Sequence, residues 1–218
     1  APTSDRILGD MGLHLSEDES EAEIGITLAR ENHGQGLATE AIRSGLEGFG
    51  GVPGRFEIIG DTPLVAVDFA HTPDALEATL GTARALAGEG AVWLVFGCGG
   101  ERDQGKRPQM GALASELADQ VVLTTDNSRG EDAAAIAAAV EGGRTGRAGW
   151  RSIADRADAI AHALDCAADR DVVLVAGKGH EAEQIVEGAV SRPFDDREVV
   201  RRILHRPATS GPPGEPRE

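Results

Sequence analysis

From Leu64 onward, short apolar runs alternate with segments whose apolar residues recur every three or four positions. The runs are Leu64–Asp68, 121–125, Val92–Phe96 and Val172–Ala176. Each is nearly continuous and rich in β-branched residues, the pattern of strands covered on both faces. Between them lie helical patterns. Thr72-Pro73-Asp74 offers a hydroxyl cap, a proline in the first turn and then an acid, a helix start. Leu76, Leu80, Ala83 and Leu86 then fall on one helical face. Met110, Leu113 and Leu117 repeat the spacing, as do Ile153, Ala157, Ile160 and Leu164, and finally Val199, Val200 and Ile203. Alternation of this kind predicts a mostly parallel α/β sheet between two helical layers, a Rossmann-like three-layer sandwich.

Ligands of such sheets bind beyond the carboxyl ends of the strands. Polar, often glycine-rich sequence follows all four runs: Phe69-Ala70-His71-Thr72-Pro73-Asp74, Gly97-Cys98-Gly99-Gly100-Glu101-Arg102-Asp103, Asp126-Asn127-Ser128-Arg129 and Gly177-Lys178-Gly179-His180-Glu181. One such loop would be an ordinary turn. Four on the same sheet edge predict a site.

Composition narrows what that site serves. The chain has 218 residues, 40% of them apolar but only 3% aromatic, so the core must be built from Ala, Val, Leu and Ile. The formal net charge of -16 argues against nucleic acid as a partner, because phosphate neutralisation needs clustered Lys and Arg. It leaves room for a nucleotide, which needs only a local cationic pocket. Two cysteines, Cys98 and Cys166, make neither a disulfide framework nor a metal site, which fits a reducing cytoplasm. No apolar run reaches the roughly 18 residues of a membrane span, and no charged-then-apolar leader is present.

Gly100 to Lys106 matches the spacing G-x-x-x-x-G-K after a strand. The hydroxyl that should ligate magnesium is replaced by Arg107, and Glu101 and Asp103 would place anions inside an anion cradle. A phosphate loop works through bare backbone N–H groups, a lysine and that hydroxyl. The segment is therefore read as something else, and the chain as lacking the usual phosphate element of an ATPase. Cys98, in a glycine-rich turn with no implied base, reads as a small residue rather than a nucleophile.

The loops carry a resemblance. Val67-Asp68-Phe69-Ala70-His71-Thr72-Pro73-Asp74, the stretch Phe96 to Pro108 (FGCGGERDQGKRP), Asp126-Asn127-Ser128-Arg129, Gly177-Lys178-Gly179-His180-Glu181 and Pro193-Phe194-Asp195-Asp196-Arg197-Glu198 are similar, in this order, to motifs of the C-terminal, amino-acid-binding domain of Mur ligases. Gly51-Val52-Pro53-Gly54-Arg55-Phe56-Glu57 resembles the start of that domain. The closest likeness is to the branch that attaches meso-diaminopimelate to UDP-MurNAc-L-Ala-D-Glu in peptidoglycan synthesis. The resemblance implies an ATP- and Mg2+-dependent amide ligation, in which a carboxylate is phosphorylated and an incoming amine displaces the phosphate. It also implies that a central domain and a UDP-sugar domain, neither recognisable in this chain, are needed for activity, and that no metal site lies here.

The same resemblance implies a diamino-acid site made by Arg102, Asp126, Asn127, Arg129, Gly177 and Glu181, with Arg55, Asp68 and His71 near the nucleotide. The residue types suit the task. Arg129 offers a planar fork for a distal carboxylate and Arg102 a second cation. Asp126 and Glu181 can accept from an ammonium, and Asn127 can do either job. Read alone, Arg129 would instead pair with Glu131 or Asp132 at a helix start. Lys178 reads as structural or as a distant phosphate contact, and His180 as a loop-ordering residue. One departure stands out: Ser128 occupies a position where the family motif has proline, which removes a constraint on the loop that aims Arg129. Arg129 favours meso-diaminopimelate over lysine, which has no distal carboxylate.

The first part of the chain has another character. Residues 23–28 form a strand-like run, followed by His33-Gly34-Gln35-Gly36-Leu37-Ala38-Thr39-Glu40-Ala41. This resembles the acetyl-CoA loop of GNAT acetyltransferases at the start of a helix, where successive N–H groups hold a pyrophosphate. The resemblance implies His33, Gly34, Gly36 and Ala38 as CoA-loop positions. Residues 7–15 and the acidic turn after them fit the same superfamily, but only the middle of that fold is recognisable. The expected organisation is a GNAT-like α+β fragment over 1–43, a Mur-like domain over 44–206 and a disordered tail over 207–218. Two rival functions remain beside the ligase: a CoA-dependent N-acetyltransferase fragment, and a non-catalytic module that binds a diamino acid.

Overall fold

The computed structural model describes residues 9–15, 22–47, 51–186, 188 and 190–206. Contacts along the chain divide it into two units, residues 1–50 and 51–218. In the first, β1 (Gly9–Leu15) pairs antiparallel with β2 (Ala22–Leu28), Gly9 opposite Leu28 and Leu15 opposite Ala22. A 3-10 turn over Arg30–Asn32 leads into α1 (Leu37–Glu47). Gly34 and Gly36 lie between them at φ of 72° and 75°, a left-handed conformation that glycine adopts without steric cost.

The second unit is a six-stranded sheet in the order β3-β4-β8-β5-β6-β7. Its strands are β3 (Glu57–Asp61), β4 (Leu64–Asp68), β5 (Val92–Phe96), β6 (Gln120–Leu123), β7 (Gly149–Ser152) and β8 (Val172–Ala176). All neighbouring pairs run parallel except β3 with β4, which places one antiparallel strand at the edge. The strand period of two explains the layers. Ala66, Leu94, Leu123 and Leu174 point to one face, where α2 (Pro73–Ala87), α3 (Lys106–Leu117) and α4 (Ala133–Glu141) lie. Val65, Val67, Val95, Val122, Val173 and Val175 point to the other, against α5 (Arg156–Cys166) and α6 (Asp196–Leu204). The three-layer α/β sandwich expected from the sequence is the fold observed.

Helix starts are set by side-chain caps. Thr72 accepts from Ala75 N, Asp132 from Ala134 N, Asp155 from Ala157 N and Asp158 N, and Asp195 from Arg197 N. Each satisfies an amide that the helix itself leaves without a partner, a contribution of about 1 kcal/mol. Leu76 and Leu80 of α2 are fully buried, each adding about 1.5–3 kcal/mol.

Three details differ from the sequence reading. The run 121–125 ends as a strand at Leu123, because Thr124 and Thr125 turn their hydroxyls to the carbonyl of Ala154. Leu86 is exposed and Ala87 is the buried residue closing the α2 face. In α3 the buried positions are Arg107, Met110, Gly111, Ala114 and Ser115, while Leu117 packs on the core only partly buried and Leu113 is half-buried. A Cβ on Gly111 would stand 2.0 Å from the carbonyl oxygen of Val140, so α3 and α4 approach too closely there for a larger residue. The tail over 207–218 lies outside the described residues, and no helix among those described is long and apolar enough to cross a membrane.

A hairpin completes the second unit. Strands β9 (Glu183–Val186) and β10 (Val190–Pro193) pair antiparallel apart from the main sheet. The fully buried Gln184 fastens it: its amide nitrogen donates to Thr125 O, Thr125 Oγ1 and Asp126 O, while its Oε1 accepts from Arg192. Beneath the same loop sits a fully buried ion pair. Arg156 grips Asp196 through two parallel bonds of 2.8 Å and donates further to the carbonyls of Ala176 and Thr125.

Candidate functional site: a charged cleft at the carboxyl edge of the sheet

The loops after β4, β5, β6 and β8 enclose one cleft of about 590 Å³, within the range of small-molecule pockets. Its lining includes Arg102, Asp126, Asn127, Arg129, Gly177 and Glu181, which are all six residues expected to hold a diamino acid, together with His71, Asp74, Asp103 and Lys106. They come from loops far apart in sequence, and backbone contacts hold those loops together. Gly100 N donates to Asn127 O at 2.8 Å, and Gly177 N to Asp68 O at 3.0 Å. Gly100 must lack a side chain, since a Cβ there would stand 2.0 Å from Ser128 O. Gly177 lies at φ 117°, and a Cβ there would meet Asp126 Oδ2 at 3.0 Å.

The polar partners define what each group has left to offer. Asp126 is buried and accepts from Asn127 N at 2.6 Å through Oδ1. Asn127 donates from Nδ2 to Glu181 Oε2 at 2.9 Å. Arg129 spends Nη1 on the carbonyls of Gly100 (2.8 Å) and Asn127 (3.4 Å); its remaining guanidinium donors take no protein partner among the described residues. Arg129 does not pair with Glu131 or Asp132. Glu131 is held by Arg107 at 2.9 Å, and Asp132 caps α4. The hydrogen bond from Arg107 and the amide of Glu101 hold the Glu131 carboxyl below the usual range.

The loop that carries Arg129 is tied to the hairpin at backbone atoms although Ser128 lacks the constraint of proline. Arg129 N donates to Ile185 O at 3.1 Å and Gly188 N to Arg129 O at 2.6 Å, so the hairpin turn clasps this residue from both sides. Arg129 itself sits at φ 51°, a conformation uncommon for a residue with a side chain and one the surroundings must impose. Proline at 128 would constrain the loop from within; here the hairpin constrains it from outside. Behind the same loop, between Cys98, Ser128 and the alanines of α4, lies a smaller and mostly apolar cavity of about 220 Å³.

The residues expected near a nucleotide are placed differently from one another. His71 lines the cleft, its Nδ1 2.9 Å from Phe69 O. Asp68 is buried, and its two carboxylate oxygens accept from Phe56 N and Ala70 N, both at 2.7 Å. Arg55 lies over the Phe69 ring at 4.9 Å, outside the cleft lining. Phe69 also meets His180 at 5.4 Å between ring centroids. Gly179, at φ 54°, lets this loop pass within contact of Gly54 and Phe69.

The segment from Gly100 to Lys106 does not fit a phosphate. Three of its amides are occupied by protein acceptors: Gly100 N by Asn127 O, Glu101 N by Glu131 and Gly105 N by Asp103 Oδ1. Lys106 Nζ donates to His71 O at 2.7 Å. Among the described residues no group of three or more His, Cys, Asp and Glu is disposed to hold a metal ion. In the first unit, His33 Nε2 lies 3.0 Å from Leu28 O, Gly34 and Gly36 take left-handed conformations, and Ala38 sits in the first turn of α1.

Burial pushes the Cys98 thiol up to about 11, and Lys106 nearby only partly offsets this; its Sγ lies 3.6 Å from Met110 Sδ. At pH 8 the thiolate fraction is then on the order of one in a thousand, so the residue is chemically inert. Iodoacetamide treatment of the native chain, followed by mass analysis, is expected to add one carbamidomethyl group, at the exposed Cys166. Denaturant should add the second. Rapid double labelling of the native chain would refute this assignment.

Sequence reasoning missed two fully buried residues that support the cleft, Arg156 and Gln184; it gave Lys178, also fully buried, as structural or as a distant phosphate contact. An arginine at a helix start gives no sign of burial in the sequence. Only the ring of acceptors around them, drawn from distant segments, reveals it.

Comparison with known proteins matches residues 54–179 to the family model for the Mur ligase glutamate ligase domain, and residues 2–60 to that for a GNAT acetyltransferase domain. The UDP-N-acetylmuramoyl-L-alanyl-D-glutamate--2,6-diaminopimelate ligase of Alkalilimnicola ehrlichii is 52% identical over 171 residues, 78% of this chain and 34% of that protein. The ligase of the same name from Ralstonia nicotianae is 52% identical over 157 residues, 70% of this chain and 30% of that one. A solved structure of a ligase so named superposes with a TM-score of 0.67 at 34% identity, covering 93% of this chain and 46% of the other. The chain thus spans about a third of the length of the curated relatives it matches.

Proposed function

Since the chain belongs to the Mur ligase family by its glutamate ligase domain, we propose that residues 51–206 bind the incoming diamino acid for an ATP-dependent amide ligation. The acceptor is UDP-MurNAc-L-Ala-D-Glu, and the amino acid is meso-diaminopimelate. One observation carries this reading: two guanidinium groups, Arg102 and Arg129, and two carboxylates, Asp126 and Glu181, converge on one cleft from separate loops. That set matches the distal end of a diamino dicarboxylic acid. Arg129, with Asn127, takes the distal carboxylate; Glu181 and Asp126 take the distal ammonium, with Gly177 giving the chain room to approach. The other amino group is left to react. Arg55, Asp68 and His71 belong to the side of the site that faces the nucleotide. Asp68 acts there by shaping the loop rather than by touching ligand.

ATP and Mg2+ would be held by the central domain of such an enzyme, since three amides of the glycine-rich loop here already have protein acceptors. Activity requires that domain and the UDP-sugar domain.

Calorimetric titration of the chain with meso-diaminopimelate and, in parallel, L-lysine tests the reading. A charge-assisted hydrogen-bonded contact to the distal carboxylate is worth about 1.5–3 kcal/mol, so a preference of roughly 10- to 100-fold for meso-diaminopimelate is expected. Equal affinity for the two amino acids would reject it.

The match over residues 2–60 favours a second reading for the first unit alone. Residues 1–43 are a GNAT-like fragment whose N–H groups ahead of α1, around His33, Gly34, Gly36 and Ala38, resemble a pyrophosphate cradle. Acetyl-CoA added in the same calorimeter separates the cases: saturable heat supports CoA binding, and none assigns those glycines to the turn.

A further inference from the structure

Lys178 lies under the floor of the cleft with its side chain wholly buried. Its ammonium donates to Glu183 O at 2.6 Å, Glu181 Oε2 at 3.0 Å and Asn127 Oδ1 at 3.2 Å, which uses all three of its hydrogens. Asp126 Oδ1 is 4.0 Å away. One buried cation therefore stands among three residues of the proposed diamino-acid site without lining the cleft itself.

The contact with Asn127 has a directional consequence. Its Oδ1 also accepts from Ile185 N at 2.9 Å. A backbone N–H and an ammonium can only donate, so the atom they share must be oxygen, and the amide cannot turn over. The nitrogen Nδ2 is thereby fixed on the other side. One of its hydrogens goes to Glu181 Oε2 at 2.9 Å; the second has no protein acceptor among the described residues. Asn127 lines the cleft as a donor only. A ligand group meeting it must be an acceptor, such as the carboxylate that Arg129 also binds. Lys178 and Asn127 together occupy Oε2 of Glu181 and leave Oε1 for a ligand ammonium.

We infer that Lys178 is a specificity-determining positioning residue: together with the amide of Ile185 it holds the Asn127 carbonyl inward and so commits this edge of the cleft to a carboxylate, and thus to a diamino dicarboxylic acid over a diamino monocarboxylic one. The inference rests on the diamino-acid reading given above and adds a source for its selectivity.

The test is the ratio of affinities for meso-diaminopimelate and L-lysine, measured by calorimetry on the full chain. Lys178→Met keeps the length of the side chain and removes its donors. It is expected to weaken meso-diaminopimelate binding about tenfold and L-lysine binding much less, which lowers the ratio. On an Asn127→Ala background the same change should leave the ratio where it was. Asn127→Asp covers the case in which Lys178→Met does not fold. It keeps an acceptor toward Lys178 and Ile185 but removes the outward donor, and should lower the ratio by a similar factor. An unchanged ratio in Lys178→Met or Asn127→Asp would overturn the inference. So would equal losses for both ligands, or a further fall in the ratio on the Asn127→Ala background. A wild-type chain that shows no preference would instead overturn the diamino-acid reading, and this inference with it.

Discussion

Asp196→Ala is expected to destabilise the second unit by about 3–5 kcal/mol, the range for removing one partner of a buried ion pair. The cost arises in what remains. Arg156 has no solvent exposure, and the carboxylate of Asp196 takes two of its donors at 2.8 Å. Burial works against the guanidinium charge, and Asp196, with smaller help from Asp126 and Glu181, holds the group above the usual arginine range. Without Asp196 a full charge would stay buried with only the carbonyls of Ala176 and Thr125 as partners. Urea denaturation should show the midpoint falling steeply with little change in slope. Replacing both residues with apolar ones of similar size should recover much of the loss, since no charge is then stranded. A loss under about 1 kcal/mol for Asp196→Ala would mean that water reaches the pair.

Arg129→Ala is expected to weaken meso-diaminopimelate binding on the order of 100-fold, about 2–3 kcal/mol for a lost charge-assisted contact to carboxylate. Melting temperature should hardly move. The main chain at this position is held by Ile185 and Gly188 through backbone groups that alanine retains. The carbonyls of Gly100 and Asn127 lose the Nη1 donor, though Asn127 O keeps its bond from Gly100 N. L-lysine affinity should be nearly unaffected, because that ligand presents no distal carboxylate. Comparable losses for both amino acids would show that Arg129 shapes the cleft rather than reading the ligand.

The parts of this molecule that were legible in the sequence share a physical property. Strands β4, β5 and β8 are covered on both faces, so composition alone marks them as short unbroken apolar runs. The edges were less visible. Strand β3 carries Glu57, Gly60 and Asp61 and half of it faces outward; β7 is only Gly-Trp-Arg-Ser. Helix α4, with the sequence AAAIAAAVE, has no polar face to set a period, so nothing in its pattern separates helix from linker. The cleft was legible because its loops must be glycine-rich to pass one another and must carry charges to bind anything. What stayed hidden was its support. Arg156 and Gln184 act through acceptors from distant segments, and only folding brings those together. Ser128 shows the same limit in reverse: its substitution for proline suggested a loose loop, and the hairpin that ties it down follows more than fifty residues later.

The strand order carries a consequence for how this domain is made. Strand β8 lies between β4 and β5, yet it is the last of the six to leave the ribosome. Until Val172–Ala176 has emerged, β4 and β5 have no hydrogen-bonded neighbour in common, and the nascent sheet is two fragments with open inner edges. Closing that gap joins segments about 80 and about 108 residues apart, a slow step because the entropy of the intervening chain is lost before contacts repay it. Bare edges of that kind invite pairing with other chains. Helices α2 and α3 can cover only the face of Ala66 and Leu94, since the valine-rich face packs against α5 and α6, and folding is gated by arrival of the segment that also delivers Gly177, Lys178 and Glu181.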